Sequence, residues 1–71
     1  MAQRGIERAW VARVLGNPES IEPDRTDQEL THHLGRIAEH EGRVLRVVFK
    51  REEGRPLVVT VYFDRAARKR L

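Results

Sequence analysis

The chain has 71 residues, 35% of them charged, a net charge of +3 and no cysteine. Disulfide scaffolds and thiolate zinc sites are therefore excluded. No apolar run approaches the roughly 20 residues that a membrane-spanning helix needs. The opening Met1-Ala2-Gln3-Arg4-Gly5 lacks the apolar centre of a secretory signal. A cytoplasmic protein, bacterial in style and made of one small α+β domain over 1–71, is expected.

Ile6, Trp10, Val11, Val14 and Leu15 recur at the helical period. They predict an amphipathic helix from about Glu7 to Leu15, with Trp10 central to its apolar stripe. Gly5 reads as the end of an earlier helical turn, and Gly16-Asn17-Pro18 stops the helix. Ser20-Ile21-Glu22 suits a short edge strand broken by Pro23-Asp24. Arg25 to Glu29 is polar and reads as a turn, Leu30 to Ile37 as a strand, and His40-Glu41-Gly42 as a turn into a hairpin.

That hairpin is the clearest element. The runs Arg43 to Lys50 and Leu57 to Asp64 are rich in β-branched and aromatic residues and flank a charged, Gly-containing turn. Strict alternation places Leu45, Val47, Phe49, Leu57, Val59, Val61 and Phe63 on one face. It places Val44, Val48, Val58, Arg46, Lys50, Thr60 and Tyr62 on the other. Arg65 to Leu71 reads as a short basic helical tail. The order predicts a two-layer α+β fold, with a three- or four-stranded antiparallel sheet packed on the N-terminal helix. A chain this short buries only about 60% of its unfolded surface, so a binding partner would add needed stability.

Nearly all the cationic residues are arginine; only Lys50 and Lys69 are lysine. A GC-rich genome accounts for such a bias, and so does recognition of phosphate by planar, two-pronged guanidinium groups. The basic tail stands apart from acidic residues at Glu19 to Glu29, Glu39, Glu41, Glu52 and Glu53, an asymmetry that suits a polyanion on one side of the molecule. Arg46, Lys50 and Tyr62 share the polar face of the hairpin, and His32, His33 and His40 supply imidazoles, the side chain suited to proton transfer. Each has a plainer reading. Arg46 covers sheet with its aliphatic stem, Lys50 is solvated, and Tyr62 packs with a wet hydroxyl. His32 and His33 are adjacent on a strand, so at most one joins a given site, and neither a metal site nor a cofactor is expected. No Gly-rich phosphate loop is present, and Ser20, the only serine, has no evident base beside it.

Arg4-Gly5-Ile6, Leu15-Gly16-Asn17-Pro18-Glu19-Ser20-Ile21-Glu22, Gly35-Arg36, Gly42-Arg43-Val44-Leu45-Arg46-Val47-Val48 and Val59-Thr60-Val61 together resemble a family of small bacterial domains of unknown function. That family is similar to BrnT-type toxins and, more distantly, to the RelE/ParE toxin fold. Its members often open His-Ala-x-x-Arg-Met-x-x-Arg-Gly-Ile. Met1 to Ile6 aligns with the interior of that pattern, so either the chain lacks the preceding His-Ala-x-x-Arg segment or its start codon was assigned internally; a chain lacking it would have a shortened first helix, which favours self-association.

The resemblance implies a toxin–antitoxin role with metal-independent RNA cleavage, in which the 2′-hydroxyl attacks the adjacent phosphate. Arg46 and Arg43 would hold the phosphate, His33 or Lys50 would move protons, and Tyr62 would meet a base or the leaving group. Arg36, Arg65, Arg68, Lys69 and Arg70 would contact RNA, and an acidic antitoxin-like protein would cover the same surface. The alternative class is a non-catalytic module that forms a homodimer through its sheet or binds a partner protein.

Overall fold

The computed structural model describes residues 5–69 and 71. The expected helical turn before Gly5 and the expected RNA contact from Arg70 lie outside the described residues.

Helix α1 (Arg8–Gly16) is followed by strands β1 (Ser20–Pro23) and β2 (Thr31–Ile37) and a 3-10 turn at Ala38–His40. Strands β3 (Arg43–Glu52) and β4 (Arg55–Phe63) and a short helix α2 (Arg65–Arg68) complete the chain. The strands form one four-stranded sheet in the order β1-β2-β3-β4, every neighbouring pair antiparallel. This is the expected α+β architecture, with the helix and strand boundaries close to those the sequence predicts.

The hairpin closes on Glu53 and Gly54, both at positive φ (54° and 79°), between the paired residues Glu52 and Arg55. Two consecutive left-handed residues form the turn whose twist matches that of the flanking strands, and glycine removes the strain at the second.

α1 lies on one face of the sheet. Trp10 and Val14 join Ile37, Leu45, Val47, Phe49 and Val61 in the main core. Gly35 of β2 lies beneath α1: a methyl group at that position would stand 3.2 Å from Val14, so the bare backbone admits close helix packing. The opposite face is not left open. α2 folds back over it, placing Ala67 and Leu71 against Leu34 and Val44 in a second, smaller cluster.

One expectation about the hairpin needs correction. Val48 pairs with Thr60 and Phe49 with Val58, so Val59 is an extra residue in β4. Such a bulge reverses the alternation beyond it. Val61 and Phe63 remain on the α1 side, but Val58 takes the inward place expected for its neighbours and packs against the main core. Leu57 pairs with Lys50 instead, and Leu57 and Val59 are 48% and 49% exposed.

Candidate nucleic-acid interface

Two polar regions share one residue, Asp64: one lies on the sheet face that α1 does not cover, the other at the end of the sheet where β3 begins and β4 ends. The first is centred on Arg46. Its cross-strand neighbours in the register are Leu34 and Tyr62, and its guanidinium is surrounded by acceptors. Nε and Nη2 reach Asp64 Oδ2 at 2.8 and 2.7 Å, and Nη1 reaches Glu22 Oε1 at 3.2 Å. Nη1 also stands 2.7 Å from His32 Nδ1, while His32 Nε2 stands 2.8 Å from Asp24 Oδ1.

The tautomer follows from the partners. A guanidinium only donates and a carboxylate only accepts, so His32 Nδ1 accepts from Arg46 and His32 Nε2–H donates to Asp24. Asp24 is itself held by a turn: its Oδ2 accepts from the amides of Thr26 and Asp27 at 3.1 and 3.0 Å. The bond from His32 is the main reason the Asp24 carboxyl lies well below the usual carboxylate range, and these amides add to it. Burial works to raise Asp64, but the Ala67 amide and the Arg46 guanidinium outweigh it and hold Asp64 below its ordinary value. Desolvation likewise opposes the charge on Arg46, and its carboxylate partners prevail. A cavity of about 320 Å³ opens beside the network, lined by Glu22, Asp24, His32, Arg46, Tyr62 and Asp64 among others.

The second region is a cleft of about 580 Å³ lined by His40, Arg43, Val44, Phe63, Asp64, Arg65 and Arg68. Arg43 opens β3, Phe63 ends β4, and Arg65 and Arg68 project from α2. The α2 start is fixed by its cap: Asp64 Oδ1 accepts from the Ala67 amide at 3.1 Å, the standard means of satisfying an exposed helix N–H. Arg68 donates to the Glu41 carbonyl at 3.2 Å. Among the described residues, neither Arg43 nor Arg65 pairs with a carboxylate. His40 stacks on Phe63 with ring centroids 4.6 Å apart and 25° between planes, and Trp10 supports the pair from the core.

The residues singled out from the sequence thus separate. Arg46 and Tyr62 emerge together, on the face away from α1. His33 does not join them. It lies on the α1 side, edge-on to Phe49 at 4.6 Å and only 7% exposed, with Nδ1 unpartnered. Alternation along β2 brings His32 to Arg46 and turns His33 away. Lys50 shares the Arg46 face but pairs with Glu52 at 3.2 Å and lines neither cavity.

Arg43, Arg65 and Arg68 converge on the cleft. Arg36 is exposed on β2, where its guanidinium donates to the Leu71 carbonyl and its amide to Glu19 at 2.6 Å; Lys69 caps the end of α2, also exposed. The sequence reading missed His40 and Phe63 as partners in the cleft, and Glu22, Asp24, His32 and Asp64 as the ring around Arg46. Among the described residues no group of three or more His, Cys, Asp or Glu side chains is arranged to hold a metal ion, and no helix is long and apolar enough to cross a membrane.

A family model described as a domain of unknown function, DUF4258, matches residues 1–63. The chain belongs to the DUF4258 family. The expected membership in a family of unknown function therefore holds. In this DUF4258 domain the matched segment runs through the whole sheet and ends at Phe63, immediately before Asp64 and α2. Nothing among curated proteins matches the chain, and no solved structure does.

Proposed function

We propose that this DUF4258 domain binds single-stranded RNA through the cationic cleft, in a toxin-type role. The observation that carries the reading is the convergence of Arg43, Arg65 and Arg68 with the stacked pair His40 and Phe63 on one cleft of about 580 Å³. Guanidinium groups supply the phosphate contacts that dominate nucleic-acid affinity, and aromatic rings give an unpaired base a stacking partner. A duplex buries its base faces and forgoes the second contribution.

The reading is of binding rather than cleavage. His32 uses both ring nitrogens within the Arg46 network, and His33 faces the other way, so neither stands ready beside Arg46 to move a proton. An acidic protein segment would offer carboxylates to the same guanidiniums, which makes it the natural competitor for the cleft.

Fluorescence anisotropy with a labelled single-stranded RNA tests the reading. Arg43→Ala and Arg65→Ala should each weaken binding, a duplex of the same composition should bind less well, and the RNA should remain intact. Unchanged affinity in both variants would refute it. RNA cleavage that persists in chelator would restore a nucleolytic role.

A second reading, association of two copies through the outer edge of β4, is favoured by the exposed Leu57 and Val59 on a strand with no outer neighbour among the described residues. A mass by light scattering that doubles with concentration, and stays monomeric in Val59→Lys, would support it.

A further inference from the structure

We infer that Arg46 is a positioning residue for the cleft and not a phosphate ligand: it neutralises and holds Asp64, the one carboxylate among the residues that line the cationic cleft. This rests on the reading of the cleft as an RNA site. Asp64 belongs to both cavities. One of its oxygens caps α2 and the other takes two bonds from Arg46.

Without the guanidinium, a negative charge would stand among the arginines that meet phosphate and would repel it. α2, which carries Arg65 and Arg68, would also lose the anchor that fixes its first turn to the sheet. Arg46 itself is only 7% exposed, and Glu22 and His32 take its Nη1. It does not line the cleft, whereas Asp64 does, so it acts on the ligand through Asp64.

The distinguishing experiment measures single-stranded RNA affinity against salt for the wild type, Arg43→Ala, Arg46→Gln, Asp64→Asn and the double variant Arg46→Gln/Asp64→Asn. Asparagine retains the cap, and the neutral pair retains a hydrogen bond, so the double variant keeps the local fold. Removing a carboxylate from beside bound phosphate should tighten binding about three- to tenfold in Asp64→Asn. Arg46→Gln should weaken binding, and the double variant should return it to near the wild-type value.

The salt dependence separates a ligand from a support. Loss of one phosphate contact lowers the slope of log affinity against log salt by about 0.7 for a single strand. That decrease is expected in Arg43→Ala and not in Arg46→Gln. A double variant as weak as Arg46→Gln, a slope that falls in Arg46→Gln as in Arg43→Ala, or no tightening in Asp64→Asn would overturn the inference. If Arg43→Ala also leaves affinity and slope unchanged, the cleft is not the RNA site and the underlying reading fails with it.

Discussion

Arg43 and Arg46 lie three positions apart on the same strand and have opposite fates. Arg43 begins β3 opposite Ile37, is exposed, and faces a cleft it shares with Arg65 and Arg68. Arg46 lies mid-strand, 7% exposed, with Asp64, Glu22 and His32 around its guanidinium. The difference teaches that residue type does not decide whether a cation is available to an anion. The sheet register does, by choosing which side chains stand beside it. A guanidinium already paired with carboxylates in a part-buried site serves the fold; one at a strand end without a carboxylate is available to a ligand.

Substitution at the two positions is the strongest way to break this contrast. Arg46→Ala leaves Asp64 without its guanidinium inside the sheet face, and removal of one partner from a buried pair typically costs about 3–5 kcal/mol. A domain of this size has little reserve, so urea denaturation should show a large drop in midpoint or an unfolded chain at 25 °C. Arg43→Ala should move stability by less than about 0.5 kcal/mol, as is usual for exposed side chains. Its effect should appear in RNA affinity instead. If the two variants lost stability equally, the distinction between structural and ligand-facing arginines would collapse.

Asp64 provides the next test, because it joins the two regions. Asp64→Ala removes both the α2 cap and the Arg46 partner. Loss of a cap alone costs about 1 kcal/mol, and Asp64→Asn should recover that part while still removing one of the carboxylates that Arg46 meets. Urea midpoints should therefore order as wild type, then Asp64→Asn, then Asp64→Ala. Equal midpoints for the two variants would mean that the cap contributes nothing.

Much of this architecture was legible from local pattern. The stripe from Ile6 to Leu15 and the β-branched runs of the hairpin each carry their own period, and both elements appear where that period places them. The bulge at Val59 was not legible, because Leu57-Val58-Val59 is apolar on either register and the alternation gives no sign of slipping. The two regions differ in the same way. Arg65 and Arg68 could be grouped because they are neighbours on a short helix. The partners of Arg46 come from 24, 14 and 18 residues away, and no local spacing brings them together. Choosing between His32 and His33 required the pairing of β2 with β3, since a strand sends consecutive side chains to opposite faces.

Acid should act through the Arg46 region, including the Asp64 it shares with the cleft. Asp24 and Asp64 both have folded-state pKa values below their ordinary 3.8. As the pH falls through the ordinary carboxylate range, the unfolded chain takes up protons first, so stability present above about pH 4 is lost progressively below it. Urea midpoints should be level from pH 7 to 5 and decline from pH 4 to 2. The decline should be shallower in Asp64→Asn. A midpoint that rises on acidification would contradict the network.

The smallest effect is expected at Arg13 and Glu39, which pair at 2.9 and 2.7 Å between α1 and the 3-10 turn. The Arg13 guanidinium holds the Glu39 carboxyl below its ordinary 4.5. A carbon-detected NMR titration should find only a small depression, since a pKa shift and stability are linked, and Arg13→Ala should return it to the ordinary value. The denaturation midpoint of the same variant should barely move. Both side chains are about half exposed (47% and 50%), so water screens their attraction and competes for the same hydrogen bonds. Opposite charge lowers the Glu39 carboxyl, yet at this exposure the pair adds little stability. The Arg46 network differs because its partners are partly withdrawn from water, and removing the charge there leaves polar groups with nothing to replace it.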